Sequence, residues 1–475
     1  MKHTIWPPRL SRLSELQGAP LEGVDIQDGE EDNHQFEVYV RMMTRRDFWK
    51  AAAAMPAAAA QLYAQRTRGL PPVTIREVKV IGTSANVFPW VFVKVITSEP
   101  GLYGLGSANN LMHPFAVVAA IEKNLGPFWV GKDVDRIEDL WQATNVHSYF
   151  RNGMILNTAL SAIDMALWDI KGKRAGMPVY ELLGGKVRDA ISLYVHADGR
   201  DLQALEESVR KNMEAGYRHV RAQLGGYGGG GFIPPGQGSR VEGGYSGPAF
   251  DDELFVDTIP KAFEYLRGKL GYTVKLIYDV HEKLNPTLAM EFAKRMEPYR
   301  LYFVEDLLPP EQVGWFEQVR RVTTTPLAIG EIFTHPLEYI PLVAGRLIDF
   351  VRCRMCATGG ITPLKKLSGL CETFGVRTAF QQGGEPDPIH QMATYHVEIS
   401  SPAFGVHEQC RFPELIHEMM PGTAEIKGGY LYGNSRPGIG VDLNEAIAAK
   451  YPLKPYPYPL GWLTVHSIDG AVGKP

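Results

Sequence analysis

The chain has 475 residues, 45% of them hydrophobic and 21% charged, with a formal net charge of −4. That length suits a barrel with a smaller companion domain, and the charge leaves no basic footprint for nucleic acid. No apolar run reaches the ~18–20 residues that a bilayer-spanning helix needs.

The first 68 residues are set apart from the fold. Met43-Thr44-Arg45-Arg46-Asp47-Phe48-Trp49-Lys50, then AAAAMPAAAA and QLYAQ, reads as a twin-arginine export signal. It predicts a periplasmic protein whose mature chain begins near Gln61 or Gln65. The alternative is an ordinary alanine-rich helix in a cytoplasmic protein.

Residues 69–189 read as an α+β segment. Two alternating strands, TIREVKVIGT and WVFVKVIT, flank a turn at Glu99-Pro100-Gly101. Helical stretches follow, the longest being NTALSAIDMALWDIKGKRAG with Ala159, Ile163, Ala166, Leu167 and Ile170 in one stripe. Trp141 and Trp168 are expected to fill the core of this domain. From residue 190 to 410 the pattern becomes strand–helix alternation. ISLYVHA, HVRAQLG, VKLIYDV, LYFVED, PLAIGE, LIDFVRCR, GVRTAFQ and AFGVHEQ are eight candidate parallel strands, which favours closure into a barrel. Residues 411–475, rich in Gly, Pro and Tyr, are expected to pack back on the first domain. Of the four cysteines, Cys353 and Cys356 have C-x-x-C spacing, but within a buried strand, so neither a disulfide framework nor a zinc site is expected.

Three acids close successive strands 26 residues apart: Asp279 in KLIYDVH, Glu305 in LYFVEDLL and Glu331 in PLAIGEIF. Acids at the C-terminal ends of neighbouring barrel strands share one mouth and repel unless a hard cation lies among them; an all-oxygen set suits Mg²⁺. Lys283 reads as a solvated loop charge. The long loop 225–247, GGYGGGGFIPPGQGSRVEGGYSG, has the length of a lid or binding loop and lacks the G-K-[S/T] ending of a phosphate loop. Arg221 on a barrel strand requires a carboxylate or an anionic substrate as partner.

The motifs AIDMALWDIKGKRAGMPVYELLGG, YDVHEKLNP, VEDLLPPEQ, AIGEIF, GGITPLKKLSGL and PGIGVDLNEAIAAKYP together resemble the enolase superfamily of mandelate racemase/muconate lactonizing enzyme type, and within it the mannonate dehydratase-like sugar-acid dehydratases. The resemblance implies a modified (β/α)₇β TIM-type barrel under an α+β capping domain, the C-terminal segment completing the latter. It implies one Mg²⁺ per subunit on Asp279, Glu305 and Glu331, and a homo-oligomer. His281 matches a catalytic histidine, and Arg221 the arginine that works with a loop tyrosine, here Tyr227 or Tyr245. Glu408 matches a substrate-contacting glutamate, grouped with Arg352, Gln381 and Glu385 as substrate-binding residues. Gln381 and Glu385 replace the histidine and aspartate that close the seventh strand in the dehydratases, and glutamine cannot carry a proton. The implied activity is dehydration of a sugar acid through α-proton abstraction and an enediolate. Its rivals are racemisation, epimerisation or cycloisomerisation on the same scaffold, and a non-catalytic sugar-acid binding protein.

Overall fold

A computed structural model describes residues 72–474, apart from Val87, Ser148, 227–228, 238–240, Gly384 and 457–464. The twin-arginine stretch and Tyr227 lie outside the described residues.

The capping domain begins with an antiparallel meander of β1 (Ile75–Thr83), β2 (Trp90–Thr97) and β3 (Tyr103–Ser107). Helices α1 (Pro114–Ala120), α2 (Ile137–His147) and α3 (Met154–Ala175) cover it. The stripe expected along α3 is buried throughout, and the helix stops at Gly176, which takes the left-handed conformation at φ 65°. Gly104 and Gly106 share one face of β3, because alternate strand residues point the same way. A Cβ on either would run into the backbone carbonyls of Ala166 and Ala162, so α3 rests directly on strand backbone.

All eight candidate strands are present: β4 (Ile191–Gly199), β5 (His219–Leu224), then, after a small hairpin of β6 (Phe232–Ile233) and β7 (Ala249–Phe250), β8 (Lys275–Asp279), β9 (Phe303–Glu305), β10 (Leu327–Ile329), β11 (Phe350–Val351), β12 (Arg377–Thr378) and β13 (His407–Glu408). Each barrel strand is parallel to the next. The ring closes where β13 pairs with β4 and Thr378 bridges Phe404. Tyr194, Ile277, Phe303, Ala328, Phe350, Ala379 and Val406 plug the interior, so the barrel is a packed core and no pore.

The cap meets the barrel and the C-terminal segment along a polar seam. Asp164 of α3 accepts from the Thr362 N–H (3.0 Å) and hydroxyl (2.5 Å). Asp169 accepts from Leu105 N–H (3.0 Å), Ile439 N–H (2.8 Å) and Lys173 (2.7 Å). Asn157 donates to the Thr334 and Ala357 carbonyls, both at 2.7 Å. The two tryptophans reach further than expected: Trp141 donates to Gly359 O and Trp168 to the Thr362 hydroxyl, both on the barrel. An indole that packs on the cap core still needs a partner for its N–H, and the barrel supplies it.

The segment beyond 410 does not go to the capping domain as a whole. Its hairpin, β14 (Glu425–Lys427) with β15 (Tyr430–Tyr432), adds antiparallel to the start of β4. Glu445 pairs with Lys79 and Lys94 of the cap, and Thr83 bridges Pro452. Residues 465–473 instead meet the long loop after β5. All four cysteines are free and buried.

Candidate active site at the barrel mouth

Strand alternation builds the site. Two residues beyond each plug side chain, the same interior face carries a polar one. Tyr194 is followed by His196, Ile277 by Asp279, Phe303 by Glu305, Phe350 by Arg352, Ala379 by Gln381 and Val406 by Glu408. The register sets Ile277 beside Phe303 and Asp279 beside Glu305. On β10 the alternation slips at Gly330, whose φ of +127° only glycine adopts readily, and Glu331 is the acid that follows.

Two arginines bind this layer together. Arg221 Nη1 lies 3.1 Å from Asp279 Oδ2, 2.9 Å from Glu305 Oε1 and 3.7 Å from Glu408 Oε1. Its Nη2 is 3.1 Å from His196 Nδ1, whose Nε2 is 2.8 Å from Glu408. Arg352, fully buried, touches Glu305 (3.0 Å), Asp306 (3.3 Å), Glu331 (3.3 Å) and Glu408 (3.5 Å), and also donates to the Tyr194 hydroxyl. Five carboxyl groups thus share two guanidinium groups, more acid than the two arginines can hold ionised in a desolvated place. Burial pushes Glu305 up to about 7 and Asp306 up to about 8 against the pull of Arg352. Burial pushes Glu408 the same way, but Arg352, His196 and Arg221 outweigh it and hold its carboxyl well below the usual range. Arg352 is held firmly charged: burial opposes its charge, and Glu305 and its other acidic neighbours overcome that.

Among the described residues, no three acidic, histidine or cysteine groups are gathered in the spacing of a metal's ligand shell. The guanidinium groups stand between the acids instead. The donor chemistry nonetheless fits a hard divalent cation: all-oxygen ligands on three adjacent strands, with more carboxyl groups than the arginines pair. Asp279, Glu305 and Glu331 are the residues that would hold it.

The other expected residues divide. His281 is half-buried, with its N–H on Asp279 Oδ1 at 2.8 Å. His281, Glu282 and Asp306 have φ values of 53°, 63° and 44°, a left-handed conformation that non-glycine residues rarely take and that concentrates where function requires it. Glu385 pairs with Arg354 at 2.6 Å and holds Trp90 through its carbonyl at 2.9 Å. Gln381 lies beside Glu408 across Gly383, with its Oε1 buried and without a hydrogen-bond partner. Tyr245 is stacked on His466, ring centroids 4.0 Å apart, and is not drawn into the arginine–carboxylate group. Lys283, expected in solvent, is buried, and burial pushes its ammonium down to about 8.

Sequence reasoning passed over Tyr194, His196, Asp306 and Arg354. The first two were within reach: a tyrosine and a histidine two apart on a strand that closes a barrel must share its interior face.

Similarity to known proteins agrees with this geometry. Residues 204–447 match the enolase C-terminal domain-like family, and residues 35–184 the N-terminal domain of mandelate racemase/muconate lactonizing enzymes. A D-galactonate dehydratase family member of Pantoea ananatis, RspA, is 45% identical over 419 residues, covering 84% of this chain and 99% of its own. A family member from Paenibacillus is 48% identical over 360 residues, covering 76% and 88%. A crystal structure of an enolase from Pantoea ananatis with bound D-gluconate and Mg superposes with a TM-score of 0.81 at 44% identity, covering 85% of this chain and 100% of that one. With its capping domain, closed barrel and ring of strand-end acids, the chain belongs to the enolase superfamily, in its mandelate racemase/muconate lactonizing enzyme branch and alongside the D-galactonate dehydratase family members.

Proposed function

We propose that the chain is a Mg²⁺-dependent hydro-lyase that dehydrates a sugar acid of the aldonate class. The observation that carries this reading is the excess of buried carboxylate over guanidinium at the barrel mouth. The gluconate- and Mg-bound structure of a relative 44% identical supports the substrate class. When bound, the cation supplies a Lewis acid for the charge that develops on the substrate carboxylate as the α-proton leaves.

The chain's own groups supply the rest. Arg221 and Arg352 keep the acids apart and set their orientation. His281, its backbone pinned on Asp279, gives a proton to the departing β-hydroxyl. The α-proton leaves on the Arg221 side; of the two loop tyrosines that the resemblance offers as its partner, Tyr245 is stacked on His466, and Tyr227 lies outside the described residues. Gln381 offers its unpartnered carbonyl oxygen to a substrate hydroxyl, a binding role that suits an amide where proton transfer would not.

The test is a panel of aldonates incubated in deuterated water, with Mg²⁺ and again after EDTA, and followed by NMR. The expected product has lost water and gained one deuterium at C3. Exchange at C2 with no loss of water makes the chain an epimerase or racemase. Tight binding with no turnover on any substrate makes it a binding protein. Export through the twin-arginine stretch and assembly into a homo-oligomer are part of the proposal. Fractionation with Arg45→Lys/Arg46→Lys as control tests the first, and light scattering the second.

A further inference from the structure

Residues 465–473 lie against the loop that follows β5. β5 ends at Leu224, one residue after Gln223, whose amide donates to the Asp279 carbonyl at 3.0 Å. The loop beyond it therefore begins at the edge of the polar layer. It returns as β7, and the Phe250 N–H donates to His466 O at 2.7 Å. Tyr245 stacks on the His466 ring at 4.0 Å and 18°. Gly247 makes room for that ring, because a Cβ there would collide with the Tyr245 phenol.

Residues 465–473 have a fold of their own. Gly473 N–H bonds to Val465 O at 2.8 Å, Ser467 N–H to Ala471 O at 2.8 Å, and Asp469 Oδ1 accepts from Ala471 N–H at 3.1 Å. Val465 is buried in the main core, which anchors one end, and Lys474 reaches Glu311 after β9 at 3.1 Å. On the loop side the anchor runs inward through aromatic contacts, Phe250 to Phe255 at 5.5 Å and Phe255 to Tyr278 at 5.9 Å, and Tyr278 precedes Asp279.

We propose that His466 is a positioning residue: through its ring on Tyr245 and its carbonyl on Phe250, the C-terminal turn clasps the returning limb of the loop after β5, residues 241–250, and through the position of that limb sets sugar-acid binding. The part concerning substrate rests on the proposed activity; the clasp itself does not. A backbone bond and a parallel ring stack are both short-range, so removing the ring frees the loop without touching any group in the polar layer.

The experiment compares the wild type with His466→Ala and His466→Phe in the full chain. Amide hydrogen exchange over 241–250 is expected to quicken about tenfold in His466→Ala, the weight of one aromatic pair. KM for the sugar acid is expected to rise by about the same factor, with kcat changed less than about threefold. His466→Phe keeps a stacking ring and the carbonyl, so both values should return close to wild type. A merely structural role would lower the melting temperature without this split between KM and kcat. Unchanged loop exchange in His466→Ala, or a His466→Phe that behaves like alanine, overturns the proposal. Should His466→Ala fail to fold, Gly470→Val reads the same quantity. Gly470 sits at φ +91° with its Cβ position 3.3 Å from Tyr245 Cβ, so a side chain there pries the turn off the loop. If the wild type turns over no aldonate, the proposed function fails, while the exchange measurement still decides the clasp.

Discussion

The barrel mouth and the seam that joins the cap to the barrel and the C-terminal segment both bury carboxylates, and they satisfy them differently. At the seam, Asp164 and Asp169 meet mainly backbone N–H groups and hydroxyls, donors fixed by the fold. At the mouth, Glu305, Asp306, Glu331 and Glu408 crowd around one guanidinium, a donor that cannot balance all of them. Seam acids each have a full set of fixed donors, whereas the mouth holds more carboxyl groups than its arginines can pair. Buried charge without a full set of partners costs stability, so its presence is a sign of function.

Breaking the mouth should have the largest effect. Arg352→Met removes the shared partner of four acids and is expected to cost on the order of 3–5 kcal/mol in urea unfolding without added metal. A cost below about 1 kcal/mol would show that the acids do not depend on the arginine. Asp169→Ala breaks the seam instead. It strands the Leu105 and Ile439 N–H groups and should cost about 2–3 kcal/mol, with kcat of the folded enzyme within about twofold of wild type. A large fall in kcat there would erase the distinction between the two regions.

Metal sharpens the contrast. Mg²⁺ at a hundredfold excess over its Kd should stabilise the wild type by about 2.7 kcal/mol, and EDTA should reverse it. Glu305→Gln should lose this response while Asp169→Ala keeps it; equal responses in differential scanning would sink the assignment of the acids. The smallest effect concerns pH. Burial pushes Asp164 up to about 7 from an ordinary 3.8, although its bonds from Thr362 pull the other way. The protonated form is therefore the one the fold favours. Its contribution to stability is complete below about pH 4 and fades as the pH rises through about 7. Asp164→Asn, neutral throughout, should remove that slope, and parallel stability curves for the two proteins would count against a protonated Asp164.

Much of this was legible in the chain. Equal spacing of Asp279, Glu305 and Glu331 follows from a repeating strand–helix unit, and all eight strands announced themselves by β-branched and aromatic runs. That Arg221 needed a carboxylate or an anionic substrate was legible, but which acids it would hold was not, because they lie far along the chain: Glu305 is 84 residues from Arg221. Lys283 was misread for a related reason. A lysine after a strand end is usually solvated, and only the packing around it decides otherwise. Tyr245 was placed by loop membership alone, which says nothing of the ring it stacks on, His466 of the C-terminal turn. The same is true of the tryptophans: hydrophobic periodicity puts the ring in the core and says nothing about where the indole N–H goes.

Gly104 and Gly106 have one more consequence. A helix laid straight on strand backbone has no cushion of side chains to compress, so α3 acts as a beam welded to its sheet. From other faces of that beam Asn157, Asp164 and Trp168 reach Thr334, Ala357 and Thr362, which lie behind the strands that carry Glu331 and Arg352. A single methyl group on β3 would lift the beam and carry the displacement through these struts to the reaction site. Two residues without side chains thereby set the alignment of a site built entirely from side chains.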